Sequence, residues 1–97
     1  HEVLTGVCVV ATPSGACRVE VEVTEVTMRA LTAAEVADYV ASGEWRDKAG
    51  GYAIQETADR FVTSLAGGGF DNVVGLPVER TLRLFRALTR EENWPWG

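Results

Sequence analysis

Histidine occurs once in this sequence, cysteine twice, proline three times and methionine once in 97 residues. With His1 as the single candidate base, and nothing setting it beside Cys8 or Ser14, a Cys–His or Ser–His–Asp engine has little to work with. C-x-x-C and H-E-x-x-H spacings are missing, which argues against a metal site built from nitrogen and sulfur ligands. A P-loop, a G-x-G-x-x-G turn before a helix and a G-x-S-x-G elbow are missing as well. Two cysteines are too few for a disulfide framework, and Cys8 and Cys17 read as reduced, half-buried thiols, close together if their segments form a hairpin. No run reaches the roughly 18 apolar residues of a membrane span, and no secretory pattern opens the chain. The reading is therefore cytoplasmic. Acidic residues outnumber basic ones, 14 to 9, for a net charge of -5. That balance disfavours nucleic acid or an anionic membrane as the main partner and leaves room for a local basic pocket on a phosphate.

What is present is an ordinary globular composition, 46% hydrophobic and 24% charged, in a length that suits a single domain over 1–97. Val3 to Ala11 reads as a strand apolar on both faces, which fits a central position, and its start at the first residues leads us to expect further chain upstream. "TPSG" (12–15) reads as a turn and Arg18 to Met28 as a second, antiparallel strand. Val19, Val21 and Val23 share one parity and Val26 and Met28 the other. The phase change predicts a bulge near Thr24–Glu25 or a strand covered on both faces.

Thr32 and Glu35 form a T-x-x-E capping box, with Leu31 and Val36 placed as the hydrophobic staple. Val36, Tyr39 and Val40 make the expected buried stripe of that helix, and Gly43 its stop. Phe61 to Leu65 has strand character and "AGGG" (66–69) breaks it. Val73 and Val74 are a further apolar piece. Pro77 is placed as the first residue of a helix ending near Thr89, with Val78, Leu82 and Phe85, beside Leu84 and Leu88, as its apolar face. The tail from 90 to 97 holds two tryptophans without a period and reads as loose or packed on the body. The order predicts a mixed α/β or α+β arrangement.

The chemistry concentrates in the loop "GEWRDKAGGYAIQ" (43–55). Glu44, Asp47, Lys48 and Gln55 fall within twelve positions, and Gly43, Gly50 and Gly51 let backbone approach a bound group. Lys48 suits a phosphate as a point charge, and Gln55 carries the donors and acceptor needed at the edge of a base. Asp47 is placed to hold Lys48 or assist a hard cation, or else forms a solvated surface pair with it.

The loop and its surroundings resemble the C-terminal half of the Maf family of septum-formation-inhibitor-like nucleotide pyrophosphatases. "HEVLTGV" (1–7) resembles H-x-V-x-T-G-V, and "TEVTMRAL" (24–31) resembles T-x-V-x-F-R-x-L with Met28 in place of Phe. "EVADYVASGEWRDKAGGYAIQ" (35–55) is similar to E-I-x-x-Y-V-x-T-G-E-P-x-D-K-A-G-A-Y-G-I-Q, and "FDNVVGLPV" (70–78) to Y-x-N-V-V-G-L-P-L. Trp45 departs from a proline, and Ala53 and Glu56 from glycines around I-Q. The family's S-x-S-P-R-R segment and its A-x-x-D-T-V segment, with the general-base aspartate, have no counterpart here.

The resemblance implies a Maf/ITPase-like mixed sheet flanked by helices. It implies a magnesium-dependent pyrophosphatase acting between the α and β phosphates of a pyrimidine or modified nucleoside triphosphate, commonly dimeric. Gln55 then matches the specificity position, Asp47 and Lys48 the pair lining the same cleft, and Glu44 a weaker substrate-binding position. His1 and Thr5 match structural positions. No catalytic residue is expected within 1–97, and the metal ligands stay unassigned. A non-catalytic nucleotide-binding or assembly module of the same fold is the alternative, motivated by the carboxylate of Glu56 beside Gln55.

Overall fold

The computed structural model describes residues 1–91. Two long strands, β1 (Glu2–Val10) and β2 (Cys17–Met28), form an antiparallel hairpin in continuous register from Glu2 opposite Glu25 to Val10 opposite Cys17. The chain then runs through α1 (Ala33–Ser42), 3₁₀ turns at Ala49–Gly51 and Thr57–Phe61, β3 (Val62–Gly67), the short α2 (Phe70–Val74) and α3 (Val78–Glu91). β3 adds antiparallel to β2, giving the order β1-β2-β3. The fold is of the mixed α/β class. Among the described residues no helix is long and apolar enough to cross a membrane.

Opposite residues in an antiparallel pair share a face, so the register sorts the hairpin into two surfaces. Leu4, Gly6, Cys8 and Val10 face the same way as Val23, Val21, Val19 and Cys17. Val3, Thr5, Val7 and Val9 share the other side with Thr24, Glu22, Glu20 and Arg18. α2 and α3 sit on this second side. Arg80 of α3 pairs with both Glu20 and Glu22, its Nε donating to Glu22 at 3.0 Å. Arg18 pairs with Glu91 at 2.7 Å. Asn72 of α2, 1% exposed, donates its amide to Thr24 Oγ1 at 2.9 Å and to the Val3 carbonyl at 3.3 Å. The core gathers there: Val7, Ala11, Val26, Leu84 and Leu88 are buried, as is Thr24.

Several local expectations hold. Thr32 accepts from the Glu35 backbone and Glu35 returns a bond to the Thr32 N–H, completing the capping box. Gly43 ends α1 with φ 74°, a left-handed conformation that a side chain disfavours. After β3 the chain presses on β2 so closely that a Cβ at Gly68 would lie 2.5 Å from Thr24 Oγ1.

Others are corrected. β1 lies at the edge of the described sheet and β2 takes the centre, because β3 returns beside β2. The bulge falls at Thr27/Met28, where β3 pairs, and not at Thr24–Glu25. Val19, Val21 and Val23 stay exposed, so the phase change in β2 records which side the helices cover. Cys8 and Cys17 are exposed free thiols for the same reason. In α3 the buried stripe is Leu84, Leu88 and Thr89, Phe85 lies at its margin against Val9 and Ala11, and Val78 and Leu82 are exposed, as Arg80 turns the helix toward the β2 glutamates. Val36 and Val40 of α1 are exposed as well, since α1 lies over an open groove. Pro77 precedes α3, which begins at Val78 and continues past Thr89 through Arg90 and Glu91. The tryptophans of the tail, and any interface they make, lie outside the described residues.

Candidate functional site

The loop after α1 is built on left-handed backbone. Asp47 has φ 59°, and Gly50 and Gly51 have φ 72° and 77°. Glycine carries no penalty there, and aspartate tolerates it better than most residues. Two buried side chains, Ile54 and Ala58, anchor the far end of the loop and leave Gln55 between them exposed. Tyr39 closes the near end, its hydroxyl donating to the Gly51 carbonyl at 3.0 Å. Burial raises the Tyr39 pKa above its ordinary value, so the phenol keeps the proton that makes this bond.

Lys48 and Gln55 both line one cavity of about 320 Å³. Its remaining wall comes from Thr5 of β1, from Tyr52 and Ile54 of the loop, and from Asn72 and Gly75 around α2. A lysine and an amide thus share a concavity floored by the start of the hairpin. Gln55 makes no hydrogen bond among the described residues, so its amide is free to meet a ligand. Lys48 is committed. Its Nζ donates to the Glu44 carbonyl at 2.6 Å and to Glu56 Oε2 at 2.7 Å. The hydrogen bond to Glu56 holds the Lys48 pKa above its ordinary value, so the group is a cation throughout the neutral range.

The other two sequence candidates stand apart from this cavity. Asp47 is exposed and makes no ion pair among the described residues; Glu56, not Asp47, holds Lys48. Glu44 contributes its carbonyl to Lys48, while its carboxylate accepts from the Thr57 hydroxyl at 2.6 Å and leaves Oε2 buried without a partner. Sequence reasoning missed the Lys48–Glu56 pair because it weighed the neighbour at i−1. Eight positions separate Lys48 and Glu56, and only the 3₁₀ turn at 49–51 folds the loop back to join them. It also missed the part of Asn72, although a lone amide inside the apolar "NVVGLP" was a visible signal.

A divalent cation such as magnesium needs several converging oxygen ligands. Glu56 is taken by Lys48, Asp47 lies outside the cavity, and no group of three acidic, histidine or cysteine side chains converges among the described residues. The described residues do not form a set that fits such an ion.

A second concavity of about 460 Å³ lies on the far side of Tyr52, walled by Met28, Val36, Tyr39, Val40 and Phe61. It is apolar, and none of the four candidates reaches it.

Residues 1–88 match the model of the Maf-like protein family. The chain belongs to that family. Across its whole length this Maf-like chain is 46% identical to a dTTP/UTP pyrophosphatase of Chelativorans sp. (strain BNC1), of which it covers 46%. A dTTP/UTP pyrophosphatase of Sphingopyxis alaskensis is 51% identical over 97 residues, all of this chain and 48% of the relative. One from Agrobacterium fabrum is 48% identical over 99% of this chain and 45% of the relative. The chain thus spans just under half the length of these curated relatives.

Proposed function

We propose that this Maf-like chain supplies the substrate-reading side of a nucleoside triphosphate pyrophosphatase that hydrolyses the α–β phosphate bond, giving the monophosphate and pyrophosphate. The observation that carries the reading is the shared cavity of Lys48 and Gln55. An uncommitted amide offers both donors and acceptor to a base edge, and the ammonium a few residues away offers its charge to the phosphates. Pyrimidine triphosphates are the substrates in view, because the relatives above are dTTP/UTP pyrophosphatases. In this reading Gln55 orients the base and Lys48 draws the phosphate chain to one end. Asp47 and Glu44 shape the loop that carries Lys48. In this reading the carboxylate that activates water lies outside residues 1–97, and magnesium belongs to the whole protein. A cytoplasmic homodimer is part of the proposal.

Gln55→Ala tests the reading in a protein that carries the full family length. Discrimination among dTTP, UTP and purine triphosphates should collapse by about tenfold, one base-edge hydrogen-bonding set, while turnover of the poorest substrate changes little. Unchanged discrimination would remove Gln55 from the base site. The Lys48–Glu56 pair favours a second reading, a nucleotide-binding or assembly module without turnover. Calorimetry with a panel of triphosphates, read beside a pyrophosphate-release assay, separates the two: an assembly module gives no heat with any nucleotide, and a nucleotide-binding module gives heat without pyrophosphate.

A further inference from the structure

This inference rests on the reading of the Lys48–Gln55 cavity as a nucleotide subsite. We propose that Glu56 sets the affinity of that subsite for phosphate: its carboxylate occupies the Lys48 ammonium when no ligand is present, and an incoming phosphate takes its place.

Among the described residues Lys48 is the only charged one lining the cavity. An ammonium has three donors, and two are already engaged, by the Glu44 carbonyl and the Glu56 carboxylate. The positive charge that a phosphate would seek is therefore neutralised by a neighbour on the same loop. Nearby cations do not replace it. Arg46 stacks on Trp45 and Arg60 on Phe61. The Glu44 carboxylate does not compete with Glu56, because it accepts from Thr57.

The pair is built to open. The Glu56 side chain is 46% exposed and that of Lys48 25% exposed, and an ion pair this open to water is weak. A terminal phosphate carries more charge than a carboxylate and three acceptor oxygens, so it displaces Glu56 where a weaker anion does not. The released carboxylate swings into water beside Gln55 and adds repulsion toward any anion that lacks strong contacts. Glu56 thus lowers affinity for every phosphate ligand and leaves base recognition untouched.

The test follows the Lys48 side-chain methylene and the Gln55 side-chain amide by NMR while dTTP or thymidine is added to the 97-residue chain, a method that reads millimolar binding. In Glu56→Gln the Lys48 signal should saturate at a dTTP concentration about threefold to tenfold below that of the wild type. Glu56→Ala should match it, thymidine should move Gln55 equally in all proteins, and Lys48→Met combined with Glu56→Gln should lose the gain. If dTTP shifts Gln55 in every protein but Glu56→Gln and Glu56→Ala saturate with the wild type, the nucleotide reading stands and the role of Glu56 is overturned. If neither signal moves with dTTP in any variant, the subsite and the role of Glu56 fall together.

Discussion

The two sides of the β1–β2 hairpin differ in a way that runs against simple pattern reading. One side is lined by Leu4, Val10, Val19, Val21 and Val23, and these residues are 37–64% exposed. The other carries Arg18, Glu20 and Glu22, and it is the side the helices cover. Apolar character alone would have assigned the cover to the first. Charge pairing and a buried amide placed it on the second. Arg80 meets two glutamates at once, Arg18 meets Glu91, and Asn72 satisfies Thr24 and the Val3 carbonyl. Hydrophobic burial is non-directional, whereas a guanidinium between two carboxylates specifies one position and one rotation of a helix. A regular strand makes both faces available, and the helices' own polar residues choose between them.

This contrast can be broken by substitution. Leu88→Ala under the covered side should lower unfolding free energy by about 2–4 kcal/mol, through lost transfer energy and a cavity, read from the urea midpoint. Asn72→Ala should cost about 1–3 kcal/mol, because Thr24 and the Val3 carbonyl lose a buried donor. A cost near zero would mean that the amide does not hold α2 on the hairpin. Thr32→Ala, on a helix outside both sides, should cost about 1 kcal/mol through its lost cap. Val21→Thr on the bare side should change stability by less than about 0.5 kcal/mol. A loss as large as that of Leu88→Ala would show that the bare side is covered in solution.

The smallest expected effect is a pH dependence. The hydrogen bond from Arg29, helped by the Thr32 N–H, lowers the Glu35 pKa to about 2 from its ordinary 4.5. The folded value lies below the unfolded one. The contribution is therefore complete above about pH 4.5 and lost as pH falls toward 2. Circular dichroism of Arg29→Met, which removes the largest of these contributions, should show a weaker loss of helix over that interval than the wild type.

The start and stop of α1 were legible because Thr32, Glu35 and Gly43 act on backbone groups within a turn of themselves. The hairpin was legible for a related reason: "TPSG" leaves its strands no partner nearer than each other. The candidate site was legible in composition, with Lys48 and Gln55 in one loop, and their shared cavity agrees with that grouping. The partner of Lys48 was not legible. Asp47 is the adjacent residue, but its left-handed backbone carries it away from the cavity, and Glu56 arrives from eight positions on. The inward stripe of α3 was legible only in part: Leu84 and Leu88 are buried, but Val78 and Leu82, which continue an equally good helical face, are exposed.

By itself the sequence determined the elements, their caps and turns, and the cluster of polar groups between α1 and β3. These depend on contacts a few residues long, where the side chain and the backbone it governs are never far apart. Tertiary structure alone decided which side of the hairpin is covered, where β1 stands in the sheet, and which acid holds Lys48. Each of those is a choice between partners of similar chemistry, and only the path of the chain in space brings one within reach and leaves the other outside.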